Sequence, residues 1–543
     1  MRHMRSSIPL FALMIVVALF VAAMLAAPPQ AGAQATISTG SAQGTIVDPR
    51  GAVVASARVT ITNKDTGQKL ESEVTSAGTY NSGPLPPGRY VVRVAAQGFK
   101  TVEQTVEVAV GIITSANITL ELGSENTVVR VESSAISVNT EQATVQGILS
   151  AQQIENLPVN GRNFLDLAQL EPGVQIQDGA NFDPTKNGFS SVSFAGHFGR
   201  TARIEVDGID ISDETVGTTT QNIPQIAIGE FQVGQSNLDL STELTSTGTI
   251  NVVTRSGAND VHGEGFLYWR GDSVAAKQSL IPVPFDRKQF GARLGGPILK
   301  DKLFFFGGLE RTHQDLQAAQ VFPAPFNSFN GNYNAPFRDL EPIGKLDWQA
   351  KPTVKLFYRF SFEQNSVVRG FIPNTFTPFK NVDHTPVHAA GVDFNTGRFS
   401  HNIRFGYTKF KNGIVDAVLG TGITDPAPGI AIAIGGDITC LGAGVDAFCS
   451  GPNFLAPQKT FQSNKQAKYD GSISFGRHTL RYGAGVNRIQ GAVFAAFVGT
   501  APIVTSLTPA GQSDPLTYPV DAILIGNGQG FFTEKPGFGF PAG

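Results

Sequence analysis

Asp207, Asp210, Asp213 and Glu214 crowd into the stretch VDGIDISDE, and carboxylates at such spacing offer the hard oxygen ligands that calcium or magnesium takes. The same residues also read as a solvated loop apex, where the charges need no ligand. Cys440 and Cys449, the only cysteines, bracket CLGAGVDAFC. In an exported chain they meet an oxidising compartment and close a short loop as a structural disulfide. A metal site would need more ligands, and the histidines lie far away in sequence. His197, between Gly196 and Phe198, is a polar loop residue within reach of a ligand. No HExxH, phosphate loop or Ser/His/Asp arrangement occurs. No catalytic residue, cofactor or metal is therefore assigned, and the chain is not read as an enzyme. A net charge of −3 gives no footing for nucleic acid.

The elements that must position these residues fall into successive territories. Residues 1–34 carry Arg2 and Arg5, the apolar run Ile8 to Ala27, and Ala31-Gly32-Ala33. A basic start, an apolar stretch and an A-x-A site read as a cleaved secretory signal. Residues 37–122 hold short alternating strands: Val59 and Ile61 share one face, as do Tyr90, Val92 and Val94. Turns at Asp48 to Gly51, Asp65 to Gly67 and Pro84 to Gly88 separate them. That pattern predicts a small β-sandwich. Residues 123–131 form an extended stretch, GSENTVVRV. It reads either as an ordinary linker strand or as a strand that adds itself to a partner's sheet edge. Residues 132–256 mix helical spacing (Ile154, Leu157, then Phe164, Leu167, Leu170) with the strand-like ARIEVDGID and TINVVTRSG. This is a compact α+β unit with two short helices.

From residue 257 onward the chain predicts a transmembrane β-barrel. Charged residues make up 16% of the chain, against about 25% in ordinary soluble domains. Nine candidate strands run at 259–270, 287–299, 302–312, 342–349, 353–362, 387–394, 398–410, 465–475 and 478–489. In the fifth, Val354, Leu356, Tyr358, Phe360 and Phe362 oppose Lys355, Phe357, Arg359 and Ser361. In the seventh, Phe399, Ile403, Phe405 and Tyr407 oppose Ser400, Asn402, Arg404 and Thr408. One apolar face per strand is the barrel signature. Short turns, such as Lys300-Asp301-Lys302, alternate with long loops at 313–341, 363–386 and 411–464. That regularity is expected when one barrel end faces the periplasm and the other the exterior. Phe304, Phe305 and Phe306 must then split between a lipid face and an inner face. No convincing strand follows residue 490. A plugged barrel needs about 22 strands, and an open sheet edge in lipid leaves backbone groups unsatisfied. The expectation is the N-terminal part of a longer barrel.

Two resemblances sharpen this reading. GTIVDPRGAVVASARVTITNKDTGQ and the phrases to residue 122 resemble the carboxypeptidase regulatory-like domain, a sandwich with a carbohydrate-binding-like fold. LPVNGRNFLDLAQLEPGV, RIEVDGIDISDE, EFQVGQSNLDL and TGTINVVTRSGANDVHGEGFLYWRGD are similar to the plug domain of Oar-like TonB-dependent transporters. FDRKQFGARLGGPILKDKLFFFGGLERTHQ resembles the first barrel hairpin of the same family. The resemblance implies a mainly β chain: signal peptide, transthyretin-like sandwich, plug at 132–256 and an incomplete antiparallel barrel at 257–543. It places Glu125, Asn126, Thr127, Val128, Val129, Arg130 and Val131 at the TonB box, where a TonB-like periplasmic energy-coupling protein would dock. It implies an outer membrane of the Gram-negative type, lipid around the barrel, and energised import of a substrate such as an oligosaccharide or peptide. The alternatives are an adhesion or carbohydrate-binding surface protein without transport, and a non-functional fragment.

Overall fold

The computed structural model describes residues 39–524 except 125–126, 133–144, 158, 160, 237–244, 246, 276–282, 323, 372–374, 398, 419–428, 436–447, 476–477, 496–501 and 507–513. The expected signal segment lies outside the described residues. The first unit is a two-sheet sandwich. One sheet runs in the order Lys69–Ser72, Arg58–Asn63, Gly88–Ala95, Thr101–Val108, Val128–Glu132. The other centres on Ser41–Val47, paired antiparallel to Thr79–Asn81 and parallel to Ile113–Ser115. Val59, Ile61, Tyr90, Val92 and Val94 turn inward together into the core with Ile46 and Leu120, as their alternation predicts. The tip at Asp65 to Gly67 is shaped by Asn63, whose Oδ1 accepts the backbone N–H groups of Asp65 and Thr66, each at 2.9 Å.

The second unit is α+β. Ser150 and Gln153 form a capping box that opens the helix Ala151–Asn156, and Pro158 stands just beyond its end. The second expected helix, Phe164–Leu170, winds as a 3₁₀ helix, capped by Asn163 Oδ1 on the Leu165 N–H at 3.0 Å. Its apolar residues pack on a sheet ordered Val145–Ser150, Ile228–Ser236, Thr249–Thr254, Arg203–Val206, Ile209–Asp210. Val145–Ser150 is an edge strand of that sheet.

The third unit is a large antiparallel sheet. Its path is His262–Gly271, Phe285–Leu299, Leu303–Gln320, Phe337–Lys351, Val354–Arg369, Phe379–Thr396, Phe399–Asp416, Gln458–Phe475 and His478–Ala495, with Gly331–Asn334 paired beside Leu303–Gln320. All nine expected strands occur in the expected order. Most extend well into the segments read as loops: Leu303–Gln320 and Phe337–Lys351 leave far less loop than 313–341. The ladder continues there because backbone pairing does not depend on an apolar face, whereas alternation fades where the apolar outer face ends. Among the described residues the sheet does not close on itself.

Its two faces differ in chemistry. Phe290, Leu294, Leu346, Trp348, Tyr358, Phe360, Phe405 and Val486 point outward and are exposed. Gln289, Glu310, Lys345, Arg359, Ser361, Asn402 and Arg404 point inward and are buried. An apolar outer band over a polar interior is the inverse of a soluble protein. Phe304 and Phe306 are buried and Phe305 lies on the other face. Phe306 packs on Ala227 of the second unit and Ile343.

The far ends of the long strands carry a small sheet ordered Thr375–Phe376, Phe448–Ser450, Ala431–Ile434, Ile503–Ser506, Ala522–Leu524. Strands therefore do follow residue 490, contrary to expectation. They are three or four residues long, too short to show a period. Phe322, Phe326, Tyr333, Phe376 and Phe448 build the core beneath them, with Phe326 stacked on Phe448 at 4.2 Å.

Candidate functional site

The second unit lies against the polar inner face of the large sheet, and charge pairs line the contact. Asp207 occupies the tight turn between Arg203–Val206 and Ile209–Asp210, with φ of 51° followed by Gly208 at 81°. The Thr254 N–H and hydroxyl donate to its carboxylate at 2.9 and 2.7 Å. From the sheet, Arg359 Nε approaches to 3.2 Å and Lys345 Nζ to 3.6 Å. Burial penalises this carboxylate, but Lys345, Arg359 and the Thr254 donors outweigh it and hold the carboxyl below its usual range.

Its neighbours are engaged in the same way. Asp210 pairs with Arg203 at 3.3 Å and exchanges backbone hydrogen bonds with the Gln466 amide. Burial still pushes its carboxyl up to about 6, against the pull of Arg203 and Ser212. Glu214 takes the same arginine at 2.7 Å. Asp213 pairs with Lys186, which also sits 3.8 Å above the Phe410 ring. The solvated apex expected for these residues is therefore a buried seam. Their charges are matched by bases, and three of those bases, Lys186, Lys345 and Arg359, lie well away in sequence. The seam continues through Arg162, bidentate on Glu310 at 2.7 and 3.0 Å, and through Gln221, which donates to the Thr385 carbonyl at 3.0 Å. Close approach is needed as well: a Cβ on Gly406 would lie 2.6 Å from Ile209 Cγ2.

The sandwich touches both other units. The Val110 N–H donates to Glu230 Oε1 at 2.8 Å. Burial drives the Glu230 carboxyl up to about 8, the Val110 bond opposes this, and Glu107 adds to it. Gly111, at φ 65°, brings the loop so close that a Cβ there would lie 2.9 Å from Gln232 Nε2. At the sandwich's hairpin tip, Asn259 donates to the Thr66 carbonyl and to Asp301 Oδ1, each at 2.7 Å. Asp301 lies in the short turn after Phe285–Leu299, with φ of 62°.

Of the segment marked by sequence, Glu125 and Asn126 lie outside the described residues. Thr127 accepts from the Thr101 N–H at 2.9 Å. Val128, Val129, Arg130 and Val131 form most of Val128–Glu132, which pairs parallel to Thr101–Val108 as the outermost strand of the sandwich sheet. Val128 and Val131 are exposed, and Arg130 reaches Glu103 at 3.4 Å. Cys449 is buried and disulfide-bonded; Cys440 lies outside the described residues. Sequence reasoning did not single out Arg162, Lys186, Glu310, Lys345 or Glu363 as functional. Their only signal was a polar residue at an inward position of a strand, or in a loop.

Residues 41–121 match the carboxypeptidase regulatory-like domain and residues 253–336 an outer membrane beta barrel domain. The chain is 28% identical over 314 residues to the TonB-dependent transporter Oar of Myxococcus xanthus. Over that stretch it is a homologue of this transporter. The alignment covers 54% of this chain and 28% of that relative's length. Among solved structures, the outer membrane transporter YddB from Escherichia coli aligns with a TM-score of 0.50 and 11% identity, over 70% of this chain and 51% of that one. The ferric enterobactin receptor PfeA from Pseudomonas aeruginosa aligns at 0.47 and 16% identity, over 65% and 50%. The YddB likeness establishes a shared fold. The homology and the barrel-domain match indicate an outer-membrane location, and the curated relative is a transporter.

Proposed function

We propose that this chain forms the plugged gate of a transporter that imports its substrate with energy supplied from the periplasm. In this reading the second unit is the plug and the large sheet is the barrel wall. The loops beneath the small sheet, stapled by Cys440 and Cys449, meet an oligosaccharide or peptide outside. A TonB-like protein engages residues 125–131. The observation that carries the reading is the placement of Val128–Glu132 as an outermost strand, which leaves one backbone edge without a partner strand among the described residues. Such an edge accepts an added strand by main-chain hydrogen bonding.

The geometry suggests how a pull would act. The segment leads along the chain to Val145–Ser150, itself an edge strand of the plug sheet. Tension there loads that strand at one end, so its hydrogen bonds to Ile228–Ser236 break in sequence rather than together. The seam between plug and wall is polar, so groups uncovered by movement can be rehydrated. Deletion of residues 125–131 is expected to abolish uptake while surface binding of substrate persists. Uptake at the wild-type rate would overturn the proposal.

A further inference from the structure

Three carboxylates on the wall stand together and, among the described residues, none has a base within ion-pair distance. Asp339 and Glu341 come from Phe337–Lys351 and Glu363 from Val354–Arg369, and oxygens of all three lie within 4.8 Å of one another. Glu341 and Glu363 are buried. Glu310, which faces Glu341 in the ladder, is already matched by Arg162. Among the described residues, no lysine or arginine lies within ion-pair distance of Asp339, Glu341 or Glu363, although bases match the neighbouring Asp207, Asp213 and Glu310.

Carboxylates alone do not make a site; the amides around them point to a ligand. Asn365 is 1% exposed and sits directly across the ladder from Asp339. Its Nδ2 donates to Glu363 Oε1 at 3.1 Å, which brings the Oδ1 on the same amide carbon to the cluster. That oxygen is buried and accepts no hydrogen bond, and Asp339 Oδ1 is in the same condition. Asn222 of the plug approaches from the other side. Its Nδ2 donates to the same Glu363 oxygen at 2.9 Å, and its own Oδ1 is also buried without a partner. A buried carbonyl oxygen left unpaired costs about 1–3 kcal/mol, and several beside three unmatched carboxylates are satisfied together by one cation.

We infer that Asp339, Glu341, Glu363 and Asn365 Oδ1 bind a divalent cation of the calcium type at the seam between wall and plug. The all-oxygen set excludes the nitrogen and sulfur ligands that zinc sites favour. Calcium takes oxygens at about 2.3–2.6 Å, so ligands on opposite sides of the ion stand about 5 Å apart, matching the observed spread. Magnesium demands a tighter octahedron and keeps more of its water. Because Glu363 also holds Asn222, the ion would brace the plug against the wall. The inference stands whether or not the protein transports anything.

The test is calcium titration by calorimetry of the full-length protein, purified in detergent and stripped of metal, in parallel with thermal melting. Wild type is expected to bind one calcium more than either Glu341→Gln or Glu363→Gln, and its melting temperature should rise with calcium while theirs does not. Magnesium should bind at least about tenfold more weakly, given its stricter geometry. Asp339→Asn, a milder change at the less buried ligand, should weaken calcium binding about tenfold or more and covers the case in which the glutamine variants fail to assemble. Absence of calcium binding by wild type would overturn the site. So would full wild-type stoichiometry and affinity in a folded variant.

Discussion

Arg359 Nε lies 3.2 Å from Asp207 Oδ2, and both side chains are buried where a turn of the second unit meets the large sheet. Arg359 also donates to the Val206 carbonyl at 3.3 Å. One arginine therefore reads both the charge and the backbone of the turn. Removing one partner of a buried pair leaves the other charge uncompensated, at about 3–5 kcal/mol. Asp207→Ala strands Arg359 and takes from Lys345 the nearer of its two carboxylates, leaving Asp347 at 4.0 Å, so it should cost at least as much as Arg359→Met. Denaturant unfolding of the detergent-solubilised protein checks this. Single variants that cost under about 1 kcal/mol, the range of exposed pairs, would show that the pair is not buried in solution.

Glu230 gives the contact between the sandwich and the second unit a dependence on pH. Its folded-state value of about 8 exceeds the ordinary 4.5, so the folded protein binds more protons than the unfolded chain between those values. The stabilisation is then fully present below about 4.5 and is lost as pH rises through about 8. Melting temperature should fall as pH rises across that window. Glu230→Gln should flatten this dependence and raise stability at the alkaline end. An unchanged pH profile in that variant would refute the assignment.

Gly406 lies at an inward position where any side chain meets Ile209. Gly406→Leu should wedge the second unit from the large sheet, with a loss of about 1–3 kcal/mol for overpacking. Because the strand backbone is undisturbed, the sheet should still assemble. Faster proteolysis of the second unit beside an intact sheet is the expected readout. A companion change, Ile209→Ala, should restore part of the loss.

Much of this architecture was legible from alternation. Tyr358 and Phe360 outward, Arg359 and Ser361 inward, and Asn402 and Arg404 opposite Phe405 all follow from strand period and one apolar face per strand. The legible part stops where the apolar face stops. The extensions to Gln320, Arg369 and Asp416 carry no apolar stripe, so only their hydrogen-bond ladders reveal them. The acidic cluster was misjudged for another reason. Lys345 and Arg359 are more than a hundred positions away from Asp207, and nothing local distinguishes a carboxylate with a remote base from one in water. Glu363 and Asn365 alternate in phase with Arg359 in the observed strand, but they fall in the segment read as the loop 363–386, so their inward direction was not readable. Their meeting with Asn222 depends on how the second unit and the large sheet nest, which no local pattern encodes.

The sandwich is fastened at two places that belong to different bodies. Its hairpin tip is fixed to Asn259 beside the turn of the large sheet, and Val110 is fixed to Glu230 on the second unit. A rigid block bolted to both a doorframe and its door cannot let the door swing while both bolts hold. Any displacement of the second unit along the sheet therefore has to break one of these two fastenings, and the choice decides whether the sandwich travels with that unit or stays with the sheet. Because protonation of Glu230 bears on one bolt only, acidity acts on that bolt and leaves the other unchanged.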